Sequence, residues 1–457
     1  MSRLPGGAYT TLGRTGRRVS RLGFGCYRVD DRVPQHREAL ELALRSGVNV
    51  IDTSTNYADG HSESLVGEVL SSRGGGDDLV VVTKAGYVQG ANLREAKTRA
   101  SAGRPWPEMT HYDADCWHCV APAFLGDQLT ASLERLRLPR VDVLLLHNPE
   151  YFLMDAEHRG TPREEARAVF YERLGRAFAH LEQEADRGRL SWYGVSSNTL
   201  AAPHRKPDAT DLERMLAIAG PRFAVVQLPM NALELGAREP IHTAAGRSVL
   251  EVAGEAGLGV LVNRPLNAFG PEGLSRLAEA RRPFEPVEAP RADALERLSA
   301  LEKEFLERFA PRLALPEGAS AEELIALSPF LAEMGRRSLS SAALNELWES
   351  WVAPRLEDLF PELARVFEGD TGYAAWSARH LATLREAATL VTARATDVDA
   401  RREKTLARKL KSAFGDVGEG TLSQRALRGL AATPGVDVVL LGMRRPEYVK
   451  DAVAAFS

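Results

Sequence analysis

Cysteine is scarce in this chain: three residues in 457, an odd number that builds no disulfide framework and fits a reducing, cytoplasmic compartment. No apolar run reaches the roughly 18 residues of a membrane-spanning helix, so no membrane partner is expected. The opening stretch MSRLPGGAYTTLGRTGRRVS holds no apolar core of secretory-leader length, and no leader is expected. A basic excess is also missing. The net charge of −4 argues against nucleic acid or an anionic membrane surface as the main partner, since both attract basic proteins. There is no short-period repeat and no low-complexity tract beyond the Gly74-Gly75-Gly76 turn. What remains is 44% hydrophobic and 26% charged, an ordinary soluble composition. The length suits two or three domains, or one large α/β unit with an insertion.

Short apolar runs recur along the chain: RLGFG (21–25), VNVID (48–52), LVVVTK (79–84), VDVLLLH (141–147), LSWYGVSS (190–197), FAVVQL (223–228), LGVLVN (258–263) and VDVVLLG (436–442). Amphipathic stretches such as HREALELALRSG and FLGDQLTASLERLRL separate most of them. Strand and helix periods thus alternate, and continuous apolar strands point to a parallel sheet buried on both faces. Eight such strands predict an α/β fold, a (β/α)₈ TIM barrel. YTTLGRTGRRVSRLGFG reads as an N-terminal β-hairpin plugging the barrel's N-terminal end.

From about Phe269 to Gly420 no strand pattern is evident. Helical patterns dominate, punctuated by PFEPVEAPR, LPEGAS and EGDTG. The expected organisation is barrel (1–268), a large helical insertion between strand seven and its helix (269–420), and the rest of the barrel (421–457). Emerging at the C-terminal rim, the insertion is placed to act as a lid or an oligomer contact, and equally as a packed helical bundle.

Residues at the C-terminal ends of barrel strands converge on one pocket. Asp52 ends the second strand, Lys84 the third and His147 the fourth, and Tyr57 follows Asp52 on its loop. Charged groups inside an apolar ring are costly unless paired, and Asp52 beside Lys84 satisfies both. An ammonium next to a phenol lowers the phenol's pKa. A tyrosine so tuned serves as general acid or base, worth roughly 10²–10⁴-fold. His147 is placed to hydrogen-bond a carbonyl oxygen. Each residue alone is more often a rim salt bridge, a packing ring or a structural histidine; the four together on consecutive strands rarely coincide by chance.

LGRTGRRVSRLGFG, GVNVIDTSTNYADGHSESLVGEVL, VVTKAG, VDVLLLHNPE, YGVSSN and SQRALRGLAATPGVDVVLLGMRRPE, in this order, resemble the aldo-keto reductase family over most of 8–270 and 421–455. The resemblance implies a (β/α)₈ barrel and an NADP(H)-dependent oxidoreductase that passes hydride between a nicotinamide and a small carbonyl or alcohol. Asp52, Tyr57, Lys84 and His147 match its catalytic tetrad, with Tyr57 as proton donor. It also implies cofactor contacts. Ser196, Ser197, Asn198 and Gln227 match carboxamide-binding positions. Gly25, Cys26 and Tyr27 match the first-strand contact, with Asp52 beside them. Asn263, Arg264, Pro265 and Leu266 match the strand-seven segment, though Asn263 stands where the family stacks an aromatic ring. Gly442, Met443 and Arg444 match the loop opening the last helix, and Ala452 stands where an adenine-binding asparagine is usual. A helix N-terminus with Arg444, Arg445 and Lys450 suits a 2′-phosphate, hence NADPH over NADH. Arg264 is placed to meet an anionic substrate or the diphosphate, and equally to form a rim salt bridge.

The long loop after the third strand is expected to roof the substrate pocket, with Trp106, Tyr112 and Trp117 as an apolar or sugar-stacking wall. Cys116 and Cys119 have half a zinc site's spacing, with His111 and His118 nearby. No second pair follows, so pocket lining rather than metal is expected. Two other functions suit the same residues. One is a redox-neutral enzyme with a retained nicotinamide cofactor, and the other a nicotinamide-sensing interaction subunit docking through the insertion. No pattern singles out an oligomeric state.

Overall fold

The computed structural model describes residues 3–74, 76, 78–270, 273–278, 287–315, 320–337, 339–353 and 355–457. The apolar runs become eight strands: β1 (Leu22–Gly25), β2 (Val50–Asp52), β3 (Val80–Ala85), β4 (Val141–His147), β5 (Leu190–Ser196), β6 (Phe223–Pro229), β7 (Gly259–Asn263) and β8 (Val438–Gly442). Each pairs in parallel with its neighbours, and the order β5-β6-β7-β8-β1-β2-β3-β4 closes into a barrel. The connecting helices are α1 (Pro34–Arg45), α2 (His61–Arg73), α3 (Pro122–Leu136), α4 (Arg163–Asp186), α5 (Leu212–Ile218), α6 (Val249–Glu255) and α7 (Leu422–Ala431), with α8 (Pro446–Ala454) closing the chain. This is a (β/α)₈ barrel.

Successive side chains on a strand face opposite ways, and that period sorts the two cores. Val80, Val82, Val143, Leu145, Val225, Leu261 and Val438 fill the barrel interior. Their strand neighbours Val81, Leu144, Leu146 and Val226 face the helices, against Phe124 of α3 and Phe178 of α4. A fully buried aliphatic side chain of this kind contributes about 1.5–3 kcal/mol. The same alternation decides where the polar residues go. Lys84 continues the inward series of Val80 and Val82, and His147 that of Val143 and Leu145.

The hairpin pairs Tyr9–Thr11 with Arg18–Ser20. Its Leu12 and Val19 join the interior cluster, so the hairpin fills the barrel's floor. The Arg14 amide donates to Gly257 O at 2.6 Å, just ahead of β7. Gly13 makes this approach possible: its φ is +43°, and a Cβ there would lie 2.2 Å from Gly259 N.

The chain divides into two compact units, one of residues 1–268 with 409–457 and one of residues 269–408. The second unit closes at 408, short of the boundary at 420 expected from the sequence. One helix, Thr371–Phe414, runs through that point, and no local sequence break marks it. The strand-free reading of the segment is also corrected at its start, where Asn267–Gly270 pairs with Gly273–Arg276 in a two-stranded sheet. Parts of PFEPVEAPR and LPEGAS, and Gly75 of the glycine turn, lie outside the described residues.

The second unit is helical and has its own cores. Leu298, Leu331, Trp348, Leu384 and Val391 form one, and Phe305, Phe309, Phe360, Phe367 and Trp376 another. Buried Glu302 accepts from the Leu327 and Ser328 amides at 2.9 and 2.8 Å and from the Ser328 hydroxyl at 2.5 Å, capping the helix Ser328–Arg336.

Candidate active site

The register of the barrel brings its C-terminal strand ends to one level. Gly25 pairs with Asp52 and with Gly442, and Ser196 pairs with both His147 and Gln227. Inward-facing polar residues from separate strands therefore meet above the apolar interior.

Lys84 is their hub. Its side chain is fully buried, and its Nζ donates to Asp52 Oδ2 (2.8 Å), Thr53 O (2.8 Å) and Tyr57 Oη (3.2 Å). A lysine has three N–H donors, so all are used. Tyr57 Oη accepts one of them, which leaves its own proton pointing away from Lys84. Asp52 Oδ1 accepts from Gln227 Nε2 at 2.8 Å, and Gln227 Oε1 accepts from Ser196 Oγ (3.0 Å) and Asn263 Nδ2 (3.2 Å). Gln227 is thereby held in one orientation.

Tyr57 reaches this hub from an unusual turn. Ala58 and Asp59 both take left-handed backbone conformations, φ 47° and 55°, ahead of Gly60 at 95°. Each such non-glycine residue costs on the order of 1–3 kcal/mol. The Asp59 carboxylate secures the turn by accepting from the Ala91 amide at 2.9 Å.

Burial opposes the Lys84 charge, yet Asp52 and Tyr57 hold the ammonium above the usual lysine range. Burial raises the Asp52 carboxyl, with Lys84 and Gln227 pulling the other way. Burial pushes Tyr57 up to about 12, against the downward pull of Lys84. This overturns the expectation of a more acidic phenol: loss of solvent outweighs the neighbouring ammonium, and Tyr57 keeps its proton at neutral pH. Burial, then Lys84 and His118, drive His147 well below the usual histidine range, so its imidazole is neutral. His147 Nδ1 lies 3.0 Å from Ser54 Oγ.

The remaining expected residues fall into two sets. Asn263 keeps a buried Oδ1 with no partner beside Gln227. Asn198 and Gly442 are exposed at their strand ends, and Tyr27, 65% exposed, sets its ring 5.3 Å from that of Tyr57. Arg444 and Arg445 are half-buried at the mouth of α8, and Lys450 is exposed one turn on. Other side chains turn elsewhere. Cys26 and Met443 pack in the barrel–helix core, with Pro265 buried and Leu266 against that core. Ser197 joins Thr199 and Thr210 outside the barrel, as strand alternation requires next to inward Ser196. Arg264 takes φ +53° and pairs with Glu234 at 3.4 Å.

The roof loop is more ordered than its composition suggested. It holds a helix (Gly90–Ser101) and a three-stranded sheet of Tyr87–Val88, Trp117–His118 and Thr110–His111. Trp106 is not a pocket wall: it is buried against Phe124 and donates to Asp127 at 2.8 Å. Tyr112 packs edge-on to Tyr151, and Trp117 against His111. His118 Nε2 lies 2.7 Å from His147 O, and Cys119 Sγ 3.4 Å from Pro107 O. Among the described residues, the metal-ligand atoms that converge belong to Asp30, Asp31 and His61 instead.

Three site residues were missed by sequence reasoning: Ser54, Tyr87 and Glu150. Tyr87 sets its ring 4.7 Å from His147 and accepts from Asn148 Nδ2 at 2.7 Å. Glu150 is 2% exposed, accepts from the Asn198 amide at 2.8 Å, and burial pushes it up to about 7. Each lies within three residues of a strand-end residue, in IDTS, KAGY and HNPE. That closeness was the available signal.

Fold and site together define a (β/α)₈ barrel with a buried polar cluster at the C-terminal ends of its strands. The aldo/keto reductase family model matches residues 21–304, and the chain belongs to that family. It is 28% identical over 219 residues to a D-threo-aldose 1-dehydrogenase from a Pseudomonas species, covering 46% of this chain. The chain thus spans 59% of the length of that curated relative. Solved structures similar in fold include a glycerol dehydrogenase from Gluconobacter oxydans, at 15% identity over 99% of this chain and 91% of that one, TM-score 0.47. Another is the holo form of an aldo-keto reductase from Bacillus halodurans, at 20% identity over 69% and 80%, TM-score 0.40. No helix among the described residues is long and apolar enough to cross a membrane.

Proposed function

We propose that the chain is an NADP(H)-dependent oxidoreductase acting on a small carbonyl or alcohol compound, with Tyr57 as general acid and base. When bound, the nicotinamide supplies or takes up the hydride at the substrate carbon. In the reducing direction Tyr57 Oη gives its proton to the carbonyl oxygen, and the product is an alcohol. The Lys84 ammonium stabilises the phenolate that remains, and Asp52 keeps Lys84 charged.

The observation that carries this reading is the triple engagement of Lys84 Nζ, with Tyr57 Oη 3.2 Å away as the third acceptor. It leaves the phenol protonated, next to a cation and with its proton free for a ligand. The residues present also fit the cofactor. Asn263 Oδ1 is a buried acceptor without a partner, which a carboxamide N–H satisfies. Ser196, Asn198, Gln227 and Asn263 hold the carboxamide and Gly25 and Tyr27 border it, while Gly442, in the loop that opens α8, leaves room for the adenosine phosphate, since a Cβ there would meet only Gly25 O, at 4.0 Å. Cys26, Ser197 and Met443 offer only main-chain groups. Arg444, Arg445 and Lys450 around the start of α8 favour a 2′-phosphate and so NADPH.

Replacing Tyr57 with Phe removes the proton donor and keeps the ring. Turnover with NADPH and a panel of aldehydes is expected to vanish, while NADPH affinity by fluorescence titration stays within about two-fold. A Tyr57→Phe variant that turns over near the wild-type rate overturns the assignment.

A further inference from the structure

Tyr57 leads into three successive residues of left-handed backbone. Ala58 and Asp59 have φ 47° and 55°, and Gly60 follows at 95°. No other run of three occurs among the described residues. A Cβ crowds the backbone in that region, least for asparagine and aspartate. The turn's own hydrogen bonds are long: the Tyr57 amide donates to Ser54 O at 3.2 Å and the Asp59 amide to Asn56 O at 3.3 Å. Such a conformation persists only where something outside the turn holds it.

The roof supplies that hold. Asp59 Oδ1 accepts from the Ala91 amide at 2.9 Å, and Oδ2 from Arg94 Nη2 at 3.3 Å. Both donors lie at the start of the roof helix Gly90–Ser101, where N–H groups lack partners within the helix and favour a negative charge. The approach is close enough to restrict position 90. Gly90 takes φ +51°, and a Cβ there would lie 2.4 Å from Asp59 Oδ1. A side chain at 90 and this placement of the carboxylate exclude each other.

The tie also joins the two segments that matter. It fastens the loop after β2 to the segment after β3, and these carry Tyr57 and Lys84, whose Oη and Nζ lie 3.2 Å apart. The same roof segment sets the Tyr87 ring 4.7 Å from that of His147. The Asp59 side chain is 44% exposed, so it contributes polar contacts rather than packing, and its removal leaves no cavity.

We propose that Asp59 is a positioning residue for the proton donor: docked on the N-terminal end of the roof helix, in the space Gly90 leaves, it holds the strained turn that seats Tyr57 Oη beside Lys84. This rests on the reductase reading above. Asp59 touches no substrate. Without the tie, Ala58 and Asp59 relax out of the left-handed region, and the phenol spends less time in reach of Lys84 and of a carbonyl oxygen. The loss falls on kcat, because a misplaced proton donor slows the chemical step while the cofactor's contacts lie on other strand ends.

Two measurements in the full-length protein test this. Asp59→Ala is expected to lower kcat for the best aldehyde of the panel about 10- to 100-fold, with NADPH affinity within about two-fold of wild type. Asp59→Asn keeps an acceptor oxygen and tolerates a positive φ, and is expected to recover kcat to within about five-fold. Gly90→Ala is expected to lower kcat as Asp59→Ala does, and to lose most of its effect when combined with it. Separately, labelling with 3-fluorotyrosine gives a ¹⁹F signal for Tyr57, assigned by its loss in Tyr57→Phe. That signal is expected to shift or broaden in Asp59→Ala and to return in Asp59→Asn. An unchanged kcat or ¹⁹F signal in Asp59→Ala, an equal loss in Asp59→Asn, or full additivity with Gly90→Ala overturns the proposal. If the wild type reduces no aldehyde, the reductase reading fails instead, and the ¹⁹F signal still decides whether Asp59 seats Tyr57.

Discussion

Two buried histidines in the two units show opposite uses of one side chain. His147, at the barrel mouth, sets its Nδ1 3.0 Å from Ser54 Oγ. His380, in the helical unit, is wholly buried with neither nitrogen partnered. It is stacked on Trp376 and Phe360 at 5.0 and 5.4 Å between centroids. Burial depresses both, His380 to about 4. The lesson is that burial alone does not make a site. At the mouth, Asp52, Lys84, Gln227, Ser196 and Asn263 form a chain of hydrogen bonds that ends in unused polar atoms. In the helical unit buried Glu302 caps a helix and buried His380 serves as a flat packing ring.

The contrast breaks most sharply at Tyr57. If the mouth is the catalytic region, Tyr57→Phe lowers kcat/KM by at least about 10³-fold, and steady-state kinetics reads it. Next is Lys84→Met, which leaves Asp52 buried without its counter-charge. The barrel unit is expected to lose about 3–5 kcal/mol in urea denaturation, together with most of its turnover. His380 provides the third test. Its folded pKa lies below the unfolded value, so between about pH 6.5 and 4 the unfolded chain takes up a proton that the folded unit refuses. Stability falls as pH falls through that window, by about 3 kcal/mol in total, and is fully recovered above it. His380→Phe keeps the ring, removes this slope from denaturation midpoints measured across the window, and leaves kcat unchanged. The smallest expected effect is at Glu302. Glu302→Ala strands the Leu327 and Ser328 amides and costs the helical unit about 2 kcal/mol, read by thermal unfolding, with kcat within two-fold of wild type.

Much of the barrel was legible because a buried parallel strand has a strong signature. All eight apolar runs became barrel strands, and strand-end position singled out Asp52, Lys84 and His147 before any contact was known. Other features were invisible for physical reasons. Trp106 looked like a pocket wall by loop membership, but a bond to Asp127 and packing on Phe124 draw it inward. Cys116, Cys119, His111 and His118 read as neighbours in sequence, yet His118 turns to the His147 carbonyl instead. Ser54, Tyr87 and Glu150 stood inside recognised stretches, but nothing in residue type or spacing tells what an unpaired loop hydroxyl or carboxyl will face. The limit of the second unit was missed because the helix Thr371–Phe414 carries on through it.

By itself the sequence determined which residues line the barrel, because side-chain direction on a strand follows a period of two and needs only local order. Motifs such as GVNVIDTSTNYADGHSESLVGEVL, VVTKAG and VDVLLLHNPE also carried the resemblance to the family that the family model matches. Tertiary structure alone decided that Tyr57 holds its proton more tightly than a free phenol, and that His147 is buried beside Lys84 and neutral. Both depend on loss of water and on contacts between separate strands and loops, and neither quantity exists until the barrel closes.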